Sequence, residues 1–165
     1  MVPPPPITHS SRRDRLILWL WKRLPFKGGT KLIIVWFFNI RYAVGVAAVI
    51  TNEAGEVLLL RHTYRQDHYQ WGLPGGWAKG RESMERALMR ELEEETGWRI
   101  TITRLVAVHS GFSLPRMTLI FQAHITGGKF RPSDEVSEYR FVRPDDLDRV
   151  LPAEKMAVRQ ALELL

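Results

Sequence analysis

Behind a lone Glu82 and directly after Arg90, the chain sets four glutamates in five positions, Glu91, Glu93, Glu94 and Glu95. At 100° per residue, Glu91, Glu94 and Glu95 fall within roughly a 100° arc of a helix, while Glu93 points well away. Carboxylates at such spacings repel each other and destabilise a bare helix by a few tenths of a kcal/mol per pair. Met84, Leu88 and Leu92 run beside the arc, so the acids should sit at the edge of a core. A partly desolvated group of anions calls for a cation. Hard divalent ions with oxygen ligands suit it, Mg²⁺ first and Mn²⁺ as a substitute.

The helix that must carry these acids is well marked. Nothing breaks it over 83–96, Ser83 can cap its N-terminus, and Gly97 follows its last periodic residue, where a left-handed cap favours glycine. Ahead of it, Gly75 and Gly76 allow a sharp turn and a close backbone approach that a side chain would obstruct. A solvated, charge-rich surface helix is the plain alternative, but it gives no reason for these glycines, Glu82 and Arg90 to stand at these intervals.

The intervals resemble a known family. Gly76, Glu82, Arg90, Glu91, Leu92, Glu94, Glu95, Gly97 and Trp98 fit Gly-x5-Glu-x7-Arg-Glu-U-x-Glu-Glu-x-Gly-U, the Nudix box, with U a bulky apolar residue. Trp98 is larger than the aliphatic residue usual at the last position, and Trp71-Gly-Leu-Pro-Gly75 resembles the family's approach to the box. The resemblance implies an α/β fold, a Nudix-type α/β/α sandwich with a mixed sheet. It implies metal ligands at the Gly75 carbonyl, Glu91 and Glu95, with Glu94 as a ligand or a neighbour of one. The implied reaction is water attack at phosphorus in the diphosphate of a nucleoside diphosphate derivative, where metal offsets phosphate charge and acidifies the water. Glu91 and Glu135 are both candidates for the base, and Asp134 and Glu138 stay open by chemistry alone. Arg90 cannot bind metal; with Glu82 it is expected to form a charge-assisted pair that fixes the loop on the helix.

Other candidates are weaker. Arg61 and Arg65 could hold substrate phosphate. Trp71, Trp77 and Phe112 could stack a base, although large aromatics near a sheet are usually core. His62, His68, His109 and His124 have no metal-ligand spacing and are left out of the site. The substrate stays open among damaged nucleotides, ADP-ribose or nucleotide sugars, and RNA 5′ ends.

With 165 residues, 45% hydrophobic and 25% charged, the chain has the makeup of a globular protein large enough for one domain. It has no cysteine, which excludes disulfides and thiolate metal sites. The net charge of +6 is unevenly spread. Residues 1–41 hold eight Lys or Arg against the single acid Asp14, whereas 42–165 carry a net −1. A basic, helical N-terminal extension (1–41, opening on a Pro-rich arm) is therefore set apart from the domain (42–165, with the box at 76–98). The basicity of the whole chain is no argument that the domain binds nucleic acid.

Residues 10–24 read as a basic amphipathic helix too short and charged to span a bilayer. It could pack on the domain or a second subunit, making a homodimer, lie on an anionic membrane surface, or, together with Trp36 further along the extension, stack nucleic acid on Trp19 and Trp21. The expected location is cytoplasmic, with peripheral membrane contact open. Two readings compete with the enzyme: a non-catalytic nucleotide-binding module of the same fold, and a membrane or nucleic-acid partner acting through 10–41. Within the domain, strands are expected at 43–51, with 57–62 as its hairpin partner, then at 71–73, 100–109, 116–125 and 138–142. Short helices should follow at 144–150 and 152–165.

Overall fold

A computed structural model describes residue 19 and residues 42–65, 67–111 and 115–163. Two compact units divide the chain, Met1–Ile40 and Arg41–Leu165. Of the first, only Trp19 is described, in helical conformation and half-exposed; the other expectations for the extension lie outside the described residues, as does Phe112.

Among its described residues the second unit holds seven strands: β1 (Ala43–Ile50), β2 (Val57–His62), β3 (Trp71–Gly72), β4 (Gly75–Trp77), β5 (Trp98–Gly111), β6 (Arg116–Gly128) and β7 (Val136–Val142). It also holds two α-helices, α1 (Met84–Thr96) and α2 (Pro152–Glu163). The strands form a four-stranded sheet in the order β4-β1-β6-β5 and a three-stranded sheet in the order β3-β2-β7. The first is mixed, because β1 runs parallel to β6 and antiparallel to β4. The second is antiparallel throughout.

Helices cover both faces, which explains why β1 and β2 read as unbroken apolar runs rather than alternating ones. Val46, Ala48, Ile50, Leu58 and Leu60 pack with Ala87, Leu88 and Leu92 of α1. The intervening Ala47, Val49, Val57 and Leu59 pack with Ala157, Val158 and Ala161 of α2. The result is the expected three-layer sandwich. Among the described residues no helix is long and apolar enough to cross a membrane.

Two expectations need correction. First, β2 is not the hairpin partner of β1. The turn forms, with the Asn52 side chain accepting from the Ala54 and Glu56 N–H groups, but a single bridge, Thr51 to Val57, joins the strands. Both edges of β1 are already filled by β4 and β6, so β2 turns away into the second sheet. Second, 144–150 is not helical. Its backbone closes two separate turns, Asp146 N–H to the Arg143 carbonyl at 2.9 Å and Val150 N–H to the Leu147 carbonyl at 3.1 Å. Leu147 and Val150 are buried, so core anchorage of these two residues overrides a helix too short to sustain itself. The hairpin of β5 and β6 also runs longer than expected, through Gly128, and β7 begins at Val136 rather than 138.

Trp98, the oversized residue of the box, is buried against Phe130 and Tyr139, with ring centroids 5.3 and 4.9 Å away.

Candidate active site

The acid-bearing helix begins at a Ser83 cap whose hydroxyl accepts from the Arg86 N–H at 3.2 Å. It ends at Gly97 with φ of 73°, whose N–H donates to the Glu93 carbonyl. Burial of Leu88 and Leu92 fixes the rotation of the helix and with it the direction of each acid. Glu95 goes inward and is only 4% exposed. One of its oxygens, Oε2, is buried without a hydrogen-bond partner. Burial, then the charges of Glu91 and Glu135, push its carboxyl up to about 8, against a smaller opposing effect of a backbone hydrogen bond from Gly75.

Strand β4 brings the two glycines to this helix by pairing with β1, Gly75 opposite Ala47 and Gly76 opposite Val46. Gly75 has φ of 150°, and a Cβ there would strike the Val46 carbonyl. A Cβ on Gly76 would strike the Glu91 carboxylate. Both positions are therefore glycine for stated steric reasons, one against the neighbouring strand and one against the acid.

Arg90 does more than pair with Glu82. Its Nε and Nη2 grip the two Glu82 oxygens at 3.2 and 2.8 Å. Nη2 also donates to the Trp77 carbonyl at 3.1 Å, which ties the helix to β4. Nη1 donates to Glu91 at 2.6 Å and to Glu94 at 3.1 Å. Glu94 is half-exposed and lies 3.6 Å from the Lys79 ammonium. The Arg90 hydrogen bonds, followed by one from the Lys79 N–H, hold the Glu82 carboxyl down at about 2. One guanidinium thus offsets much of the repulsion along the arc.

Among the described residues no three His, Cys, Asp or Glu side chains already converge at metal-ligand distances. Glu91 and Glu94 are instead turned to Arg90. The donor set nevertheless fits a hard divalent cation. It is all oxygen, its inner carboxylate has an unpartnered buried oxygen, and the adjacent glycines leave backbone close to Glu91.

The loop before β7 carries Glu135. Thr63 holds that loop, its N–H donating to the Glu135 carbonyl at 2.9 Å and its hydroxyl to the Asp134 carbonyl at 2.7 Å. Glu135 acts electrostatically on both Glu95 and Tyr64. Glu138 instead pairs with Arg61 at 2.7 Å across β2 and β7. Asp134 is exposed.

A cleft of about 440 Å³ opens beside β4, lined by Gly75, Gly76, Trp77, Tyr64, Arg65 and Arg116 among others. Arg61 does not line it and is held by Glu138 and Gln70. Trp71 is also outside the lining, its ring covered by the Arg140 guanidinium at 4.1 Å. Trp77, about half exposed, does line it. Sequence reading missed Tyr64, Tyr69, Arg116, Thr118 and Glu154, all in the lining. None stands at a telling interval from the box, so only the fold could bring them to it.

The layered fold, with the acid-bearing helix against a glycine strand, defines an α/β/α sandwich domain. Comparison with known proteins gives its family. The model described as the NUDIX domain matches residues 41–165, and the chain belongs to that family, whose members are hydrolases of phosphoric anhydrides. The chain is similar to the MutT-like protein of Streptomyces ambofaciens, with 33% identity over 124 residues, 75% of each chain. It is similar to the ADP-ribose pyrophosphatase of Methanocaldococcus jannaschii, with 28% identity over 112 residues and 66% of each chain. Among solved structures, the MutT NUDIX hydrolase from Burkholderia pseudomallei matches with a TM-score of 0.63 at 28% identity, over 73% of this chain and 98% of that one.

Proposed function

We propose that the protein is a divalent-metal-dependent pyrophosphohydrolase that cleaves the diphosphate linkage of a nucleoside diphosphate derivative. The observation that carries this reading is Glu95, a buried carboxylate with an unpartnered oxygen, pressed by the charges of Glu91 and Glu135. Keeping that carboxylate ionised costs several kcal/mol unless a cation completes it. Glu91, Glu94, Glu95 and the Gly75 carbonyl would hold the metal, Mg²⁺ or Mn²⁺. When bound, it supplies neutralisation of phosphate charge and acidification of the attacking water.

The chain's own groups do the rest. Arg90 keeps Glu91 and Glu94 on the side of the helix that meets β4. Arg116 lines the cleft and offers guanidinium donors to the anionic substrate. Trp77 presents an exposed ring for a base. Glu135 is the base of choice over Glu138, whose carboxylate is committed to Arg61, and it stands where its charge reaches Glu95.

The test is phosphate release from a panel of ADP-ribose, nucleotide sugars, 8-oxo-dGTP, dinucleoside polyphosphates and 5′-triphosphorylated RNA, with Mg²⁺ or Mn²⁺. Turnover should vanish with EDTA and fall at least ~100-fold in Glu95→Gln, the scale of losing a key electrostatic group. A folded, metal-binding protein inert on every member would be a nucleotide-binding module instead.

A further inference from the structure

Between Trp71 and Trp77 the chain leaves one sheet and joins the other. Trp71 and Gly72 pair with β2, whereas Gly75 to Trp77 pair with β1. The two crossing residues, Leu73 and Pro74, belong to neither ladder. A buried backbone N–H without a ladder partner must find another acceptor. Pro74 has no N–H, and its carbonyl accepts from Ala48 N–H at 2.9 Å. Leu73 is buried, and its N–H donates to Glu154 Oε2 at 3.2 Å.

Glu154 stands in the first turn of α2, eighty-one positions along the chain from Leu73. Its other oxygen accepts from Arg65 Nη2 at 3.1 Å, with both side chains largely buried, 20% and 15% exposed. The guanidinium passes over Gly72, where a Cβ would collide with Nη1. The far end of the same helix is fastened too, by Arg104 donating to the Ala161 carbonyl at 3.1 Å. A buried ion pair is weak evidence for stability, since desolvation offsets most of its Coulomb gain. Its geometric effect here is specific: it supplies a fixed acceptor at the one point where the strand has none.

We propose that Glu154, held by Arg65, is a positioning residue that sets the Leu73–Pro74 crossing and thereby the Gly75 carbonyl toward the metal. This rests on the metal-dependent reading above. Glu154 touches no reacting atom in this account; it acts through the backbone two residues before Gly75.

The full-length protein and its Glu154→Ala, Glu154→Gln and Arg65→Gln variants are compared in three measurements. These are Mn²⁺ affinity by direct titration, exchange of the Leu73 amide, and kcat separately from KM. Alanine should speed Leu73 exchange, weaken Mn²⁺ binding roughly tenfold or more, the scale for losing an outer partner of a ligand, and lower kcat more than KM changes. Glutamine keeps an acceptor for Leu73 and should recover most of the Mn²⁺ affinity. Arg65→Gln should fall between the two. Faster Leu73 exchange with Mn²⁺ affinity and kcat unchanged would overturn the proposal and leave Glu154 a purely structural anchor. If Glu154→Ala does not fold, Arg65→Gln decides on the same readouts. Wild-type protein that binds no Mn²⁺ and hydrolyses nothing would sink the metal-dependent reading itself, a different result from a wild type that binds and a variant that binds equally.

Discussion

Arg90 and Glu82 meet fork to fork, Nε to Oε2 at 3.2 Å and Nη2 to Oε1 at 2.8 Å, across the Ser83 cap and the first six residues of α1. That geometry belongs to a planar guanidinium and not to an ammonium. Arg90→Lys should therefore fold but lose at least ~10-fold in kcat, because Glu91, Glu94 and the Trp77 carbonyl lose their shared donor. Steady-state kinetics beside circular dichroism checks it. An unchanged kcat would remove Arg90 from the positioning of these acids.

Glu95 is expected to trade stability for metal binding. Without metal, Glu95→Gln should be no less stable than wild type, since it removes a buried, crowded carboxylate. With saturating Mg²⁺ the order should reverse. A ligand that binds only the folded state adds about 2.7 kcal/mol at one hundred times its Kd, and the variant forfeits most of that. Melting curves with EDTA and with Mg²⁺ decide; a variant less stable than wild type in EDTA would count against the account.

The two glycines should fail differently. Gly75→Ala meets both a disfavoured φ and the Val46 carbonyl, so it should destabilise the fold by about 1–3 kcal/mol. Gly76→Ala meets the Glu91 carboxylate, a flexible side chain that can swing aside. It should stay folded and lose activity. Urea midpoints and turnover, measured on both variants, separate the effects.

His62 gives a pH signature. Burial first, then the Arg65 charge, bring its pKa down to about 3 from 6.5. Between those values the unfolded chain binds the proton and the folded one does not. Its contribution is therefore fully present above pH 6.5 and is lost by about 1.4 kcal/mol per pH unit as pH falls toward 3. Urea midpoints at pH 7.5 and 5 should differ less in His62→Leu than in wild type. Equal differences would mean that His62 does not carry the effect.

What could be read in the sequence was local. The caps at Ser83 and Gly97, the inward stripe of Leu88 and Leu92, and the pair of Arg90 with Glu82 all lie within one short segment, where helix geometry fixes who faces whom. The pairing of β1 was not legible, because a tight turn at Asn52 looks the same whether or not the next strand comes back alongside. Only the occupation of both β1 edges by distant strands decides that. Likewise the proline at 144 can open a short helix, but Leu147 and Val150 are instead pinned separately in the core. Of the basic candidates, Arg61 and Arg65 looked alike. The register of β2 against β7 commits Arg61 to Glu138, while Arg65, beyond the strand, lies at the cleft wall paired with Glu154. Glu154 gave no signal at all, since its role depends on where the chain changes sheets.

The burial of Trp98 has a consequence for engineering. Its indole is shared ground between the end of the acidic motif and two aromatic residues from elsewhere in the chain, Phe130 and Tyr139. The motif of this protein is therefore not a portable cassette. Moved into a relative built around a smaller aliphatic residue it would be too large for its socket, and the relative's own segment placed here would rattle.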